Sequence, residues 1–136
     1  MPTYKPLFYL GSTIHGIENV ELRCSSFDVD VYYEYQAEEL ELRRARFKAC
    51  IAFGYENIKN LTHFVEEAFD TIVEVSGSDW LQGHLENWPQ HMSWPDKEKL
   101  RHFMMICSNW GALQFIAESF EVDEVARSGA PESLRR

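Results

Sequence analysis

The chain has 136 residues, a length typical of one domain, and its 45% hydrophobic and 14% aromatic residues exclude a disordered composition. Its net charge of -9 opposes the contacts with phosphate groups that nucleic-acid binding requires. We recognise no secretion signal and no apolar stretch long enough to span a bilayer, so we expect a cytoplasmic protein with neither nucleic acid nor membrane as a partner.

The N-terminal segment mixes turn-forming and apolar residues. Prolines and glycines in residues 1–16 flank the run Leu7-Phe8-Tyr9-Leu10, which predicts an irregular arm that covers a sheet edge or face. From Glu18 to Cys24, apolar and charged residues alternate, as is typical of a half-buried strand. Ser25-Ser26 then predicts a turn.

The next two strands are the most clearly patterned part of the chain. Alternation from Phe27 to Tyr35 predicts a strand with one apolar face, and a long strand is predicted from Leu40 to Phe53. We expect the bases of the second strand to lie near the acids of the first. The side chains predicted to face the core include Val29, Val31, Tyr33 and Phe47.

The middle of the chain carries helix signals. Apolar residues at three- and four-residue spacing predict a helix over 57–69, whereas the β-branched residues of 71–75 leave strand and irregular structure both open. Ser78 or Asp79 can cap a second helix from Trp80 to Asn87.

Two prolines mark the loop that follows. Trp88 to Pro95 is rich in aromatic residues and is unsuited to a helix or a central strand. Leu100 to Ser108 and Ala112 to Val122 then predict a hairpin of covered strands. Residues 127–136 are polar and are expected to form a flexible tail.

These elements predict an α+β fold with an antiparallel sheet and one or two helices, in a single domain over 1–126. The cysteines are odd in number and widely spaced, so neither disulfides nor a paired metal motif is expected. Ser76-Gly77-Ser78 lacks the nucleophile-elbow pattern, and no glycine-rich phosphate loop is recognised. We therefore expect no cofactor, no metal and no catalytic residue. The three cysteines are Cys24, Cys50 and Cys107.

Negative charge and loop tryptophans are the features that favour partner binding. Residues 56–79 contain six acids and one base, and the aromatic loop follows after one short helix. An aromatic anchor ringed by charge is typical of protein-recognition sites, and a basic partner would suit this surface. Solvated acids and buried tryptophans are the ordinary alternative. The candidate partner-binding residues are Trp88, Trp94, His91, Glu66, Glu67 and Asp70.

Two stretches resemble small uncharacterised bacterial α+β proteins, including immunity-type proteins encoded beside toxins. The first is residues 68–75 with the following Ser78-Asp79-Trp80-Leu81, and the second is Leu100-Arg101-His102-Phe103 leading to Ala117-Glu118-Ser119. The resemblance implies a protein-binding domain and supplies no catalytic residue. The competing hypothesis is a small-ligand-binding or hydrolytic domain with a pocket near the loop from Trp88 to Trp94. A deep, mostly apolar pocket with converging His84, His91 or His102 would favour it.

Overall fold

A computed structural model of the chain describes residues 2–11, 18–36, 39–57, 70–107 and 111–135. Within these residues the chain forms antiparallel strands, one short α-helix and single 3₁₀ turns. In chain order the elements are β1 (Thr3–Tyr9), β2 (Glu18–Cys24), β3 (Val29–Gln36), β4 (Leu40–Lys48), β5 (Ala52–Asn57), β6 (Thr71–Ser76), α1 (Asp79–Glu86), β7 (Arg101–Cys107), β8 (Gly111–Ala117) and β9 (Ser119–Glu124).

The strands form two sheets that face each other as a sandwich. One sheet has five strands in the order β1-β6-β7-β8-β5, and the other has four in the order β2-β3-β4-β9. The mainly antiparallel architecture with a helix agrees with the coarse prediction, but the expectation of a single sheet is wrong. Neighbouring strands pair antiparallel throughout the described part of both sheets.

The sequence pattern missed the second sheet because two long strands bend from one sheet into the other. The predicted strand from Leu40 to Phe53 is divided into β4 and β5 at Ala49, whose φ of 52° lies in the left-handed region. The predicted strand from Ala112 to Val122 is divided into β8 and β9 at Glu118. The backbone N–H of Glu118 donates to the carbonyl of Lys48, so the two crossovers lie side by side.

The core lies between the two sheets and contains the residues predicted to face it. Val29, Val31, Tyr33 and Phe47 are all buried there, which confirms that prediction. Phe47 of β4 stacks on Phe115 of β8 across the sandwich, with the ring centroids 3.8 Å apart. Alternation therefore identified the buried face correctly even where it missed the bend.

The N-terminal segment is more regular than its composition suggested. The expected irregular arm is wrong for residues 3–9, which form β1 and pair with β6 at the edge of the five-stranded sheet. The register shifts between Pro6 and Phe8, which suits an edge strand because proline cannot donate a ladder hydrogen bond. Residues 71–76 form β6, which settles the open choice in favour of strand. The helix predicted over 57–69 lies largely outside the described residues.

The short helix forms where its capping residue predicts it. Ser78 is the N-cap of α1, and its Oγ accepts a hydrogen bond from the backbone N–H of Leu81 at 3.0 Å. The prediction of a helix from Trp80 to Asn87 is thus confirmed to within a residue. In the part of the chain that the structure describes, no helix is long and apolar enough to cross a membrane.

Residues 127–135, expected to form a polar tail, pack against the outer face of the four-stranded sheet. Ala130 and Leu134 are buried in a cluster with Tyr32 and Leu42. Arg127 forms a 2.8 Å ion pair with the fully buried Glu34. Tyr32 and Glu34 lie on the face of β3 that points away from the core, and this segment covers them.

Charged side chains link neighbouring strands on that same sheet. Arg46 makes a bidentate contact with Asp30 of the preceding strand, as predicted. Arg44 instead pairs with Asp123, and Lys48 with Glu121, because β9 lies on the other side of β4. Only the tertiary fold could show that β4 lies between two strands, β3 and β9, that both supply acidic partners for its basic side chains.

Candidate functional site

Four separate segments meet at one end of the sandwich. They are the turn between β2 and β3, the crossover at residues 49–51, the crossover at Glu118, and the loop over 88–96. Cys50 N–H donates to the carbonyl of Phe27, which ties the turn to the first crossover. Asp96 N–H donates to Glu118 Oε1, which ties the loop to the second. Because the two crossovers are hydrogen-bonded to each other, these segments form one continuous surface.

An exposed aromatic pair, Phe27 and Trp94, lies on this surface. The two rings meet edge to face with centroids 4.8 Å apart, a favourable geometry for aromatic contacts. Phe27 nevertheless keeps 60% of its surface exposed and Trp94 keeps 50%. Large apolar side chains that remain this exposed while contacting each other are typical of binding surfaces.

Phe27 is held by the turn that carries it. Ser25 N–H donates to the carbonyl of Asp28, and the Asp28 carboxylate accepts a hydrogen bond from Ala49 N–H at 3.1 Å. The predicted turn at Ser25-Ser26 is thus confirmed. The sequence pattern had placed Phe27 on the core face of a strand, but β3 begins at Val29, so Phe27 lies at the exposed tip.

Trp94 is held by the residues that follow it. Pro95 is buried and is joined to Trp94 by a cis peptide bond. The Asp96 carboxylate accepts a hydrogen bond from Glu98 N–H and caps the 3₁₀ turn Lys97–Lys99. The capped turn and the hydrogen bond from Asp96 N–H to Glu118 hold the backbone next to Trp94, and the indole itself stays exposed.

The other predicted residues of this loop have different roles. The half-buried Trp88 donates its indole N–H to the carbonyl of Met92 at 3.2 Å, so it closes the loop on itself. His91 lies exposed at the turn. An open groove of about 390 Å³ beside Trp88 is lined by Met92, Pro95 and Lys97, among others, and the described residues that line it include no histidine. This is the geometry of a shallow patch rather than of a deep pocket with converging histidines.

The acidic half of the predicted surface is not beside the aromatic loop. Asp70 is buried, and its carbonyl accepts a hydrogen bond from Leu10 N–H. It precedes β6, whose far end leads to α1 and the loop, so a strand of about 20 Å separates Asp70 from Trp94. The predicted adjacency is wrong for Asp70 because 71–76 is an extended strand. Glu66 and Glu67 lie outside the described residues.

A second polar cluster joins α1 to the outer face of the five-stranded sheet. Ser78 Oγ lies 2.7 Å from His102 Nδ1, and His102 Nε2 lies 2.7 Å from Gln114 Oε1. Trp80 packs edge-on against His102, with centroids 5.1 Å apart. His102 is buried, and burial lowers its pKa while the Gln114 hydrogen bond opposes that shift. The imidazole is therefore neutral at pH 7.

The three cysteines differ in how far they are exposed to solvent. Cys24 is exposed, Cys50 is half-buried and Cys107 is buried, and all three are free thiols. Burial raises the pKa of Cys50 to about 11 and also raises that of Cys107. Across the residues described here, no three His, Cys, Asp or Glu side chains cluster as metal ligands.

Fold and surface together define a two-sheet antiparallel sandwich that presents an aromatic pair at one end. Comparison of the chain with protein-family models, curated proteins and solved structures finds no match.

Proposed function

We propose that this protein is a protein-binding domain, and that it recognises its partner through the aromatic pair Phe27 and Trp94. The observation that carries the proposal is that both rings remain at least half exposed while they pack against each other. Residues of this type dominate binding energy at protein interfaces because each one removes a large apolar area from water.

The anchoring of the pair supports the same function. Both aromatic residues belong to segments whose backbones are bonded to the sheet crossovers, through Cys50 and Glu118. Binding a partner then requires little ordering of the chain, and less of the binding free energy is lost to conformational entropy.

Charge around the pair favours a basic partner. Asp28 and Asp96 lie within the segments that carry the two rings, and Glu118 lies in the crossover that Asp96 contacts. The whole chain has a net charge of -9. Complementary charge raises association rates and excludes wrong partners more than it adds affinity. The resemblance to immunity-type proteins makes a toxin encoded by a neighbouring gene the first partner to test.

The experiment uses three purified forms of the protein and compares which other proteins each form captures from an extract of cells that naturally contain it. These are the native protein, the double variant Phe27→Ala/Trp94→Ala, and the control Tyr9→Ala. Tyr9 is as exposed as Phe27 but lies at the other end of the sandwich, beside Thr71. Proteins that are captured by the native protein and by Tyr9→Ala, but not by the double variant, are then purified. Their binding to all three forms is measured by calorimetry.

We expect the double variant to bind the purified partner at least about 30-fold more weakly, the effect of losing about 2 kcal/mol at a hot spot. Tyr9→Ala should bind within about threefold of the native protein. A purified partner that binds the double variant as tightly as the native protein would contradict the proposal, as would the absence of any protein that distinguishes the two.

A further inference from the structure

The strongest feature outside the aromatic surface is the hydrogen-bonded series Ser78, His102 and Gln114. Gln114 Oε1 can only accept, so His102 Nε2 carries the proton and Nδ1 is left as an acceptor. The Ser78 hydroxyl, 2.7 Å away, donates to that bare nitrogen. The order of the bonds is therefore determined by chemistry: hydroxyl to imidazole, and imidazole to amide oxygen.

This arrangement matches what a nucleophilic serine requires. A serine hydroxyl becomes reactive when an adjacent base takes its proton and a third group holds that base in the correct tautomer. His102 occupies the position of the base and Gln114 that of the orienting group. The Leu81 N–H also donates to Ser78 Oγ at 3.0 Å, which stabilises negative charge that develops on the oxygen.

We propose that Ser78 is a nucleophile activated by His102, and that it accepts the acyl group of small, activated carboxylic esters. This activity would be separate from partner binding by Phe27 and Trp94. Gln114 is a positioning residue, because it acts only through the imidazole.

The reaction requires only the ester, water and the side chains of Ser78 and His102, with no metal and no redox partner. Ser78 Oγ forms a bond to the ester carbonyl carbon as its proton moves to His102 Nδ1. The bond from that carbon to the leaving oxygen then breaks, and the leaving alcohol takes the proton. Water attacks the acyl-serine in the same way, which releases the carboxylic acid and restores the hydroxyl. The net change is ester plus water to acid plus alcohol.

Ser78 is partly exposed at the start of α1. An open groove of about 430 Å³ lies along the helix that follows, lined by Asp79, Trp80, Gly83, His84 and Asn87, so its nearest lining residue is the next one in the chain. Trp80 contacts His84 on the groove and His102 beneath it. An open groove beside an indole suits a small acyl donor with an aromatic leaving group.

The same bonds could serve only to cap α1 and attach it to the sheet. The experiment therefore uses variants that keep the cap and remove the chemistry. The folded protein is treated with a fluorophosphonate probe, whose fluoride a reactive serine displaces, and the labelled peptide is identified by mass spectrometry. Hydrolysis of p-nitrophenyl acetate is measured in parallel across pH.

We expect the native protein to be labelled at Ser78. Ser78→Asn retains a side chain that caps the helix but has no hydroxyl, and it should abolish labelling at this position. Ser76→Ala, two residues away on an exposed position, should label like the native protein. His102→Gln should slow labelling by about 100-fold or more, the usual contribution of a general base.

Gln114→Glu gives a readout that a structural role would not produce. A carboxylate in place of the amide favours the charged imidazolium, so the acidic limb of the pH–rate profile should move to higher pH. Native protein that retains its circular dichroism spectrum yet is not labelled at Ser78 overturns the proposal. Equal labelling of Ser78→Asn, or an unmoved profile in Gln114→Glu, also overturns it.

Discussion

Phe27 and Trp94 are 67 residues apart in sequence, yet their rings meet edge to face with centroids 4.8 Å apart at one end of the sandwich. The Phe27 carbonyl accepts a hydrogen bond from Cys50 N–H of one crossover, and Asp96 N–H, two residues after Trp94, donates to the Glu118 carboxylate of the other. The contact therefore depends on both crossovers, and substitutions can separate its role in folding from its role at the surface.

Trp94→Ala should lower the free energy of unfolding by only about 1 kcal/mol, because half of the indole is already exposed and the edge-to-face contact contributes about that amount. Phe47→Ala, at a fully buried position, should cost about 3–5 kcal/mol by comparison. Urea unfolding of both variants measures the difference. If Trp94→Ala cost as much as Phe47→Ala, Trp94 would be a packing residue rather than a recognition residue.

Arg127→Met should destabilise the protein by roughly 3 kcal/mol, because it removes the guanidinium that pairs with the fully buried Glu34 carboxylate. Adding Glu34→Gln to that variant should recover part of the loss. Arg23→Met, at an exposed position on β2, should stay within about 0.5 kcal/mol of the native protein. Chemical unfolding that showed no difference between Arg127→Met and Arg23→Met would mean that residues 127–135 contribute little to the fold.

The free energy of unfolding should decrease as the pH is lowered below about 6.5, and His102 should account for part of the decrease. Its pKa is lowered in the folded state, so below about pH 6.5 the unfolded chain binds a proton that the folded protein excludes. The unfolding free energy must therefore decrease as pH falls from there toward the folded-state pKa. Urea unfolding between pH 7 and 5 should show a shallower decrease in His102→Gln than in the native protein, and parallel decreases would contradict this role.

The three thiols should react at different rates with a disulfide reagent such as dithionitrobenzoate. Cys24 is exposed and should react first, whereas burial and a raised pKa disfavour the thiolates of Cys50 and Cys107. Cys24→Ser should remove the fast phase. Denatured, unreduced protein should yield three thiols, and a lower count would show that a disulfide had formed.

The sequence by itself determined the local structure of the described residues where one pattern dominated. Alternation in β3 identified its core face, Ser78 marked the start of α1, and prolines marked the loop that holds Trp94. These predictions succeeded because backbone preference and burial period act over a few neighbouring residues. The same period continues through the bends at Ala49 and Glu118, so the pattern could not show where each strand leaves its sheet.

Only the tertiary structure decided which distant residues meet. It brought Phe27 to Trp94 and Ser78 to His102 and Gln114, whereas it placed Asp70 at the far end of β6. It also buried Leu134 in a cluster with Tyr32 of β3 and Leu42 of β4, on the face of the four-stranded sheet that points away from the core. Strand pairing and sheet packing set these contacts, and both depend on long-range burial that no short stretch of sequence specifies.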